Sequence, residues 1–504
     1  MSNHLFSSLL PPGRDPQQVC LITLDGRRFT HGEVDRVSAR YASALAACGV
    51  RRGDRVAVQV EKSPEALFLY LGCIRAGAVF LPLNTAYTLV ELEYFLRDSE
   101  PALLVGRPEQ ISELERLARG LGVGVVQVLA AQGGGSMSDL AEVQSATWTD
   151  ADCGPQDLAT ILYTSGTTGR SKGAMLSHEN LRSNAQALVE TWRFTSDDVL
   201  IHTLPIFHAH GLFVATNVTL TAGASMIFLP KYEPGEVLAW MAEATVMMGV
   251  PTFYTRLLQH PGLNRDATAR MRLFVSGSAP LLADTHGAFR DRTGHAILER
   301  YGMTETSMNT SNPYDGDRVP GSVGLPLPGV EVRVCDPETG RKLGTDEIGM
   351  IEVRGPNVFS GYWRMPEKTR EEFRPDGFFI TGDLGKIDAR GYVWILGRGK
   401  DLVITGGYNV YPKEVEGEID ALPGVLESAV IGVPHPDFGE AVTAVVVPEG
   451  DSVLHEAEII EALRGCLAGY KLPKRVIIAR ELPRNTMAKV QKNLLREEHK
   501  TLFA

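Results

Sequence analysis

Apolar and polar positions along the chain predict short strands that alternate with helices. Apolar runs rich in Val, Leu and Phe occur at residues 55–60, 78–83, 101–106 and 271–277. Longer stretches with helix-like patterning occur at residues 63–77, 88–100 and 281–294. Strands that alternate with helices are typical of an α/β fold with a largely parallel sheet.

The pattern changes twice in the second half of the chain. β-rich runs become denser between residues 329 and 398, which predicts an added β subdomain, and beyond residue 400 a small α+β unit begins. The charged, glycine-rich stretch Arg398–Lys400 suits a hinge. We therefore expect a large N-terminal domain, residues 1–398, and a small mobile C-terminal domain, residues 399–504, with the hinge near Lys400.

Composition and charge narrow the class of ligand. Hydrophobic residues make up 44% and charged residues 22% of the 504 residues, which are ordinary values for a globular protein. The net charge of −11 argues against a duplex-binding protein, which needs a basic face. Anionic small ligands remain compatible with this charge, because a local cluster of Arg, Lys and backbone N–H groups can hold them.

Cysteine spacing and the N-terminal segment indicate the compartment. The six cysteines are scattered without a CxxC pair, so we expect neither a disulfide framework nor a zinc site built on cysteine. The first residues lack the basic start and the apolar length of a signal peptide. No window holds about 20 uninterrupted apolar residues. These features predict a soluble cytoplasmic protein that binds neither nucleic acid nor membrane.

The stretch YTSGTTGRSKG, Tyr163–Gly173, has the chemistry of a phosphate cradle. Glycines allow successive N–H groups to surround oxyanions, while the hydroxyls and the Lys172 ammonium add further contacts. The stretch is not a Walker A motif, which needs Gly where Ser171 stands and Ser or Thr where Gly173 stands. The dinucleotide pattern GxGxxG also fails.

Further motifs make the chain resemble the adenylate-forming superfamily, which contains acyl-CoA synthetases, luciferases and peptide-synthetase adenylation domains. The glycine-rich stretch is similar to the phosphate loop of that superfamily, and the resemblance covers essentially the whole chain. The other matching motifs are RAGAVFLPLN at 75–84, LPIFHAHGL at 204–212, ERYGMTETS at 299–307, TGDLG at 381–385, GRGKDLVITGGYNVYP at 397–412 and LPRNTMAKVQKN at 482–493. The resemblance implies that ATP activates a carboxylate as an acyl-adenylate, with release of pyrophosphate, and that the coenzyme A thiol then attacks.

Within the superfamily, the segments between the motifs resemble bacterial malonyl-CoA synthetases. They include VEKSPEALFLYL, GVPTFYTRLLQ, RLFVSGSAPLLADTH and SNPYDGDRVPGSVG. This implies malonate, with methylmalonate as a further candidate, as the acid, ATP and coenzyme A as co-substrates, and Mg²⁺ as cofactor. It also implies a role in fatty acid metabolism and a monomer or weak homodimer. The alternatives are a short-chain monocarboxylate–CoA ligase, an adenylation enzyme that loads a carrier protein, and a nucleotide-binding sensor.

The resemblance assigns adenylation to a few side chains. Lys489 is expected to bridge the α-phosphate and the carboxylate of the acid, where a flexible cation can stabilise the developing charge. Ala488 precedes it where the family usually has Gly; this restricts the backbone and is the one feature that supports a sensor. Glu305 is expected to bind Mg²⁺, because hard dications prefer carboxylate and phosphate oxygens, with Thr304 and Thr168 as partners.

The same motifs imply the remaining nucleotide contacts. Asp383 is expected to accept both ribose hydroxyls, with Arg398 beside it. Tyr301 stacks on adenine in this scheme, and core packing is its alternative. The other residues expected to bind ATP and AMP are Thr164, Ser165, Gly166, Thr167, Thr168, Gly169, Lys172, Ser278, Ala279, Glu299, Arg300, Gly302 and Met303.

The resemblance also implies that the small domain rotates about Lys400 between the two half-reactions. Lys489 enters the site for adenylation and leaves it for thioester formation. Gly406 and Gly407 then face the pantetheine channel, where the absence of side chains permits close approach.

A dicarboxylate substrate would leave one carboxylate unreacted, and burying that charge without a partner is costly. We therefore expect a cation in the acyl pocket, ideally an Arg with its bidentate fork. Arg300 and Arg256 are the candidates, and His208 and Ser278 line the pocket. The alternative for Arg300 is an ion pair with Glu299, and for Arg256 a salt bridge on a helix surface.

Three histidines, His202, His208 and His210, have a spacing that also permits a zinc site. No Cys or carboxylate cluster accompanies them in the sequence, so this stays the weaker interpretation.

Overall fold

A computed structural model describes residues 3–164, 171–279, 281–405, 408–464, 466–467, 469–485 and 489–503. Several residues named above lie outside this part of the chain: Ser165, Gly166, Thr167, Thr168, Gly169, Gly406, Gly407 and Ala488.

Parallel strands dominate the first of two large sheets. In the described residues its spatial order is Gly361–Tyr362, Lys172–Ser177, Leu158–Thr164, Val79–Pro82, Arg55–Val58, Leu103–Gly106 and Val125–Val128. The strands from Leu158–Thr164 onwards are parallel to one another, and the two before them pair antiparallel.

The second large sheet has the same character. Its spatial order, counting described residues, is Leu325–Pro326, Ser307–Ser311, Leu298–Met303, Leu273–Ser276, Val246–Gly249, Val199–His202, Ser225–Phe228, Val19–Thr23 and Arg28–Thr30. The central strands are parallel, and the antiparallel pairs lie at the two edges. The predicted α/β class with parallel-rich sheets is thereby confirmed.

Two smaller sheets follow along the chain. The predicted β subdomain is an antiparallel sheet of the strands Glu331–Cys335, Gly349–Arg354, Phe379–Ile387 and Val393–Arg398. The predicted small α+β unit contains the strands Val403–Thr405, Tyr408–Val410, Val425–His435, Gly439–Pro448 and Arg475–Ile478.

Residues at the ends of a helix determine where it begins and ends. In the helix Pro64–Ala76, the Ser63 side chain accepts from the Ala66 N–H, Pro64 occupies the first turn, and Gly77 ends the helix at φ +68°. The α-helices are Phe6–Leu9, His31–Ala47, Pro64–Ala76, Leu89–Ser99, Ile111–Leu121, Ser136–Glu142, His178–Thr191, Asn217–Ala222, Pro234–Trp240, Pro251–Gln259, Ala283–Thr293, Pro366–Glu371, Pro412–Asp420, Glu456–Leu463 and Lys492–His499. The segments Pro108–Gln110 and Gly399–Asp401 are 3₁₀-helical, and His210–Thr216 is a π-helical segment. Across the described part of the chain, no helix combines the length and the apolar character needed to cross a bilayer.

Apolar cores lie on either side of Lys400. The largest core contains residues from Leu5 to Val393. The cores of the small unit contain only later residues, from Val403 to Leu495.

Candidate active site

Four neighbouring parallel strands bring the candidate site together at their carboxyl ends. The strands Val199–His202, Val246–Gly249, Leu273–Ser276 and Leu298–Met303 lie side by side. The segments that follow or end them carry the histidines, the helix with Arg256, the Gly277–Ala279 turn and the Arg300–Glu305 motif. This edge of a parallel sheet is where ligands bind in open α/β folds.

Arg300 is a buried cation. It is 4% exposed, and its Nε and Nη2 atoms have no hydrogen-bond partner among the described residues. Desolvation lowers the pKa of its guanidinium to about 9. A Cβ atom on Gly277 would lie 2.3 Å from Arg300 Cζ, so the guanidinium lies directly against this glycine. Such a group is poised to receive an anion.

Glu299 does not neutralise Arg300. Its Oε1 accepts from the Gly321 N–H at 3.0 Å, and burial raises the pKa of its carboxyl to about 7. Adjacent residues on a strand point to opposite faces of the sheet, which separates these two side chains. The structure therefore does not form the alternative ion pair.

Neutral imidazoles line the space beside Arg300. Desolvation, with the nearby charges of Lys489 and Arg300, lowers the pKa of His208 to about 3. His208 Nδ1 accepts from the His210 N–H at 3.2 Å, so the neutral ring carries its proton on Nε2. His210 Nδ1 lies 3.2 Å from Ser278 Oγ, and Ser278 has the left-handed φ of +70°.

His202 makes its hydrogen bonds to other groups than His208 and His210 do. Its Nδ1 lies 2.8 Å from Lys62 Nζ, and its Nε2 lies 2.9 Å from the carbonyl of Gly211. The three imidazoles therefore take part in separate hydrogen bonds. In the described residues, no group of three or more His, Cys, Asp or Glu side chains could hold a metal ion.

Asp383 and Arg398 face each other across two antiparallel strands. They are paired in register, and Arg398 Nε lies 2.9 Å from Asp383 Oδ1. The Tyr301 hydroxyl donates to the other oxygen, Oδ2. A carboxylate has about four acceptor positions, so lone pairs remain on Asp383 for hydroxyl groups of a ligand. The Tyr301 ring is partly exposed.

Glu305 supplies a buried carboxylate on the turn after Leu298–Met303. Desolvation raises its pKa. Its Oε1 lies 3.5 Å from Thr164 Oγ1 and 3.0 Å from the Tyr362 hydroxyl. The donor set is oxygen only, which suits Mg²⁺. Thr304, Met303 and Gly302 are partly exposed on the same strand and turn.

Lys172 lies beside this carboxylate, on the first large sheet. Its Nζ lies 3.0 Å from Glu372 Oε1. Tyr362 and Glu372 were not singled out by the sequence motifs. Tyr362 is placed by the pairing of the edge strand Gly361–Tyr362 with Lys172–Ser177, and Glu372 by the end of the helix Pro366–Glu371. No local pattern indicates either placement.

Lys489 belongs to the small unit but lies within electrostatic range of charged residues of the large unit. Its side chain keeps contact with solvent, yet the surrounding protein desolvates it enough to lower its pKa. The cations Arg398 and Arg300 lower that pKa further, whereas the carboxylates of Asp383 and Glu305 raise it. Lys489 is thus an electrostatic neighbour of the nucleotide-motif residues and of the acyl-pocket arginine.

Two predicted residues lie at the periphery. Arg256 is exposed in the helix Pro251–Gln259 and acts electrostatically on Tyr232. Lys400 is exposed in the 3₁₀ turn Gly399–Asp401. Ala279 is partly exposed beside Ser278.

A cavity of about 250 Å³ lies between the segments that carry Lys62, Phe207, Tyr232 and Phe253. Phe207, Tyr232 and Phe253 form its apolar wall, and Lys62 and Lys231 lie at its polar side.

The fold and these side chains define an enzyme that activates a carboxylic acid with a nucleotide. The chain belongs to the AMP-binding enzyme family. The family model described as AMP-binding enzyme matches residues 12–363, and the model of its C-terminal domain matches residues 414–489.

Relatives and solved structures extend this result. A feruloyl-CoA synthase from Amycolatopsis sp is 38% identical over 477 residues, which cover 94% of each chain. The mitochondrial malonate–CoA ligase of Mus musculus is 40% identical over 461 residues, which cover 83% of this chain and 77% of the relative. The crystal structure of ATP-bound MatB from Rhodopseudomonas palustris is 62% identical and matches all of both chains with a TM-score of 0.98. The apo form of that MatB is also 62% identical, matches all of both chains and gives a TM-score of 0.87.

Proposed function

We propose that this protein is an ATP-dependent malonate–CoA ligase. It forms malonyl-adenylate from malonate and ATP with release of pyrophosphate, and then transfers the malonyl group to coenzyme A with release of AMP. The malonate–CoA ligases among its relatives support the reaction. Methylmalonate is a second candidate acid, since it presents the same two carboxylates.

The observation that carries the choice of a dicarboxylate is the buried guanidinium of Arg300, with two nitrogens that no described residue engages. A monocarboxylate would leave this costly charge uncompensated, whereas the free carboxylate of malonate pairs with it. The Nε2–H of His208 and the hydroxyl of Ser278 can add hydrogen bonds to the same acid.

The remaining side chains have roles in positioning and charge stabilisation. Lys489 approaches the reacting carboxylate and the α-phosphate, Asp383 accepts the ribose hydroxyls, and Arg398 supports Asp383. Glu305 would hold Mg²⁺, together with phosphate oxygens, and the ion would neutralise charge on the phosphates. The glycine-rich loop and Lys172 hold the β- and γ-phosphates, which leave as pyrophosphate.

Two domains joined near Lys400 support a two-step scheme. The separate apolar cores on the two sides of Lys400 favour units 1–398 and 399–504. The higher TM-score against ATP-bound MatB than against its apo form favours the adenylation arrangement for this structure. After rotation, Gly406 and Gly407 would line the path of the pantetheine arm, and the cavity lined by Phe207 and Tyr232 would offer room for that arm. We further propose a cytoplasmic monomer or weak homodimer that acts in fatty acid metabolism.

The test is a panel of acids with AMP and pyrophosphate detected. Malonate, methylmalonate, acetate, propionate and ferulate are compared at matched concentrations with Mg²⁺ and coenzyme A. We expect kcat/KM for acetate, propionate and ferulate to be lower than for malonate by about 100-fold or more, because a site with a buried partner rejects acids that leave it unpaired. Formation of ADP, or equal use of monocarboxylates, would refute the proposal.

The Arg300→Ala variant tests the acid-binding residue within the same panel. Removing one member of a buried charge pair should lower kcat/KM for malonate by about 30-fold or more. Acetate use should not fall, because the variant no longer leaves a buried charge without a partner, and this serves as the internal control. Gly277→Ala keeps the charge but displaces the guanidinium, and it should give the same selective loss. Arg256→Ala, measured in the same panel, should lower kcat/KM for malonate less than Arg300→Ala does.

A further inference from the structure

A tyrosine outside the proposed catalytic set lies at the centre of a group of polar contacts. Tyr362 is 3% exposed. Its hydroxyl lies 3.0 Å from Oε1 of Glu305 and 2.6 Å from Oε2 of Glu372. Its ring centroid lies 4.1 Å from Lys172 Nζ. One phenol therefore contacts the carboxylate proposed for Mg²⁺ and the ammonium proposed for phosphate.

The backbone holds this phenol in place. Tyr362 pairs opposite Ala174 on the strand that begins with Lys172. Its N–H donates to Thr369 Oγ1 at 2.9 Å, and its ring packs edge-on against Phe359 at 4.9 Å. The Phe359 N–H in turn donates to the carbonyl of Glu305 at 2.8 Å. The position of the hydroxyl is therefore fixed relative to both Lys172 and Glu305.

The two carboxylate oxygens of Glu305 have different surroundings. Oε1 is the atom near the hydroxyls of Thr164 and Tyr362. The hydrogen bonds from the Thr164 and Tyr362 hydroxyls both end on Oε1, and neither reaches Oε2. One oxygen is thus fixed by the protein, and the other can face a cation.

Lys172 is held by the same group. Glu372 Oε1 accepts from Lys172 Nζ at 3.0 Å and also lies 3.2 Å from Lys368 Nζ. Glu372 Oε2 contacts the Tyr362 hydroxyl. A triphosphate that attracts Lys172 must therefore compete with Glu372.

We propose that Tyr362 is a positioning residue for the nucleotide–metal complex. Its hydroxyl orients Glu305 so that Oε2 faces the cation, and through Glu372 it links this carboxylate to Lys172. Glu372 is the anionic partner that Lys172 leaves when phosphate binds. The inference rests on the proposed function, because it takes Glu305 as the Mg²⁺ ligand and Lys172 as the phosphate ligand.

Calorimetric binding of ATP, with Mg²⁺ and separately with EDTA, tests the proposal on the intact protein. For Tyr362→Phe, which keeps the ring, we expect binding of ATP with Mg²⁺ to weaken roughly 10-fold or more, because removing the partner of a ligating carboxylate costs roughly 10–100-fold in metal affinity. Binding in EDTA should stay within about threefold. For Glu372→Gln, which releases Lys172, binding in EDTA should strengthen roughly 2- to 10-fold.

Tyr41→Phe is the matched control, because it removes another buried hydroxyl, one that lies 3.0 Å from Ser138 Oγ in a different part of the large domain. It should leave both affinities unchanged. Equal weakening of Tyr362→Phe in Mg²⁺ and in EDTA would show a structural role only and overturn the proposal, and so would binding like wild type. If Tyr362→Phe does not fold, unchanged ATP affinity in Glu372→Gln overturns the link to Lys172. Wild-type binding that is the same with and without Mg²⁺ would instead refute the assignment of Glu305 as the Mg²⁺ ligand, whereas the acid panel tests the proposed ligation itself.

Discussion

The neighbours of Lys489 in the fold distinguish it from the other lysines nearby in the sequence. In the sequence it is one of several lysines in a basic stretch, and Lys492 lies three positions further on. In the structure Lys492 pairs with Glu416 of the small unit, whereas Lys489 lies within electrostatic range of Arg398, Asp383 and Glu305. The two lysines therefore provide a matched comparison.

Replacing Lys489 by Ala should affect only one half-reaction. Loss of a cation aimed at developing charge should slow adenylation by about 100-fold or more. Capture of supplied malonyl-adenylate by coenzyme A should stay within about threefold of wild type. Pyrophosphate release and malonyl-CoA formation measure the two steps separately. Lys492→Ala should spare both, and equal loss of both steps in Lys489→Ala would contradict the assignment.

Glu299 gives a pH-dependent contribution to stability. Its pKa is raised to about 7 in the folded protein from an ordinary value of 4.5, chiefly by burial. Between pH 4.5 and 7 the folded state therefore keeps a proton that the unfolded state has lost, so stability falls as pH rises through this window.

The Glu299→Gln substitution should remove this dependence. The free energy of unfolding of the variant, relative to wild type, should rise between pH 4.5 and 7 by up to about 3 kcal/mol. Thermal unfolding at several pH values measures the difference. An exposed carboxylate, replaced in Glu113→Gln, should show no such trend. A difference that is constant with pH would contradict the raised pKa.

At the scale of secondary-structure elements, the 3₁₀ turn Gly399–Asp401 is tied at both ends. Arg398 before Lys400 pairs with Asp383 of the large unit. Asp401 after it pairs with Arg496 of the helix Lys492–His499. Rotation of the small unit with both ion pairs intact must therefore occur between Arg398 and Asp401, with the exposed Lys400 at its centre.

Proline at position 400 should restrict this rotation. Because Pro fixes φ near −65°, Lys400→Pro should hold the turn in one arrangement. We expect adenylation within about threefold of wild type and thioester formation slowed roughly 10-fold or more, measured as pyrophosphate release and malonyl-CoA formation. Lys400→Ala controls for loss of the charge and should retain both steps. Normal thioester formation in Lys400→Pro would place the hinge elsewhere.

At the scale of the whole molecule, the proposed rotation predicts that the arrangement of the two units differs between catalytic states. The chain matches ATP-bound MatB with a TM-score of 0.98 and apo MatB with 0.87, although both are 62% identical to it. The same sequence identity therefore accompanies two different degrees of structural match, as rotation of the small unit would produce.

A spin-label distance between the units should report this difference. Cys466 is exposed on the small unit, while Cys20, Cys73, Cys153 and Cys335 are buried, so Cys466 is a natural label site once the half-buried Cys48 is replaced by Ser. Val90→Cys, at an exposed position of the large unit, provides the second site. We expect ATP with Mg²⁺ to narrow the distance distribution and coenzyme A with malonyl-adenylate to shift it. The same labels in Lys400→Pro should not shift, and a distribution insensitive to all ligands would contradict domain rotation.

The sequence by itself determined the architecture and the set of candidate residues. Strand and helix positions followed from local hydrophobic patterns, and the motifs named Lys489, Asp383, Arg398, Glu305 and Arg300. These features depend on residues that are close together in the sequence, so the sequence alone is enough to predict them. Alternation along a strand would even have excluded the ion pair between Glu299 and Arg300, because adjacent side chains point to opposite faces.

Only the tertiary structure decided which of these side chains are charged, paired or free. Among the described residues, Arg300 Nε and Nη2 are buried without a hydrogen-bond partner, and burial by segments distant in the chain also lowers the pKa of His208. Tyr362 and Glu372 are identified only by their contacts in the fold. The edge strand Gly361–Tyr362 brings Tyr362 to Lys172 and Glu305, and Glu372 contacts Tyr362 and Lys172. Desolvation and long-range pairing depend on the positions of all surrounding atoms in space, and local sequence does not encode those positions.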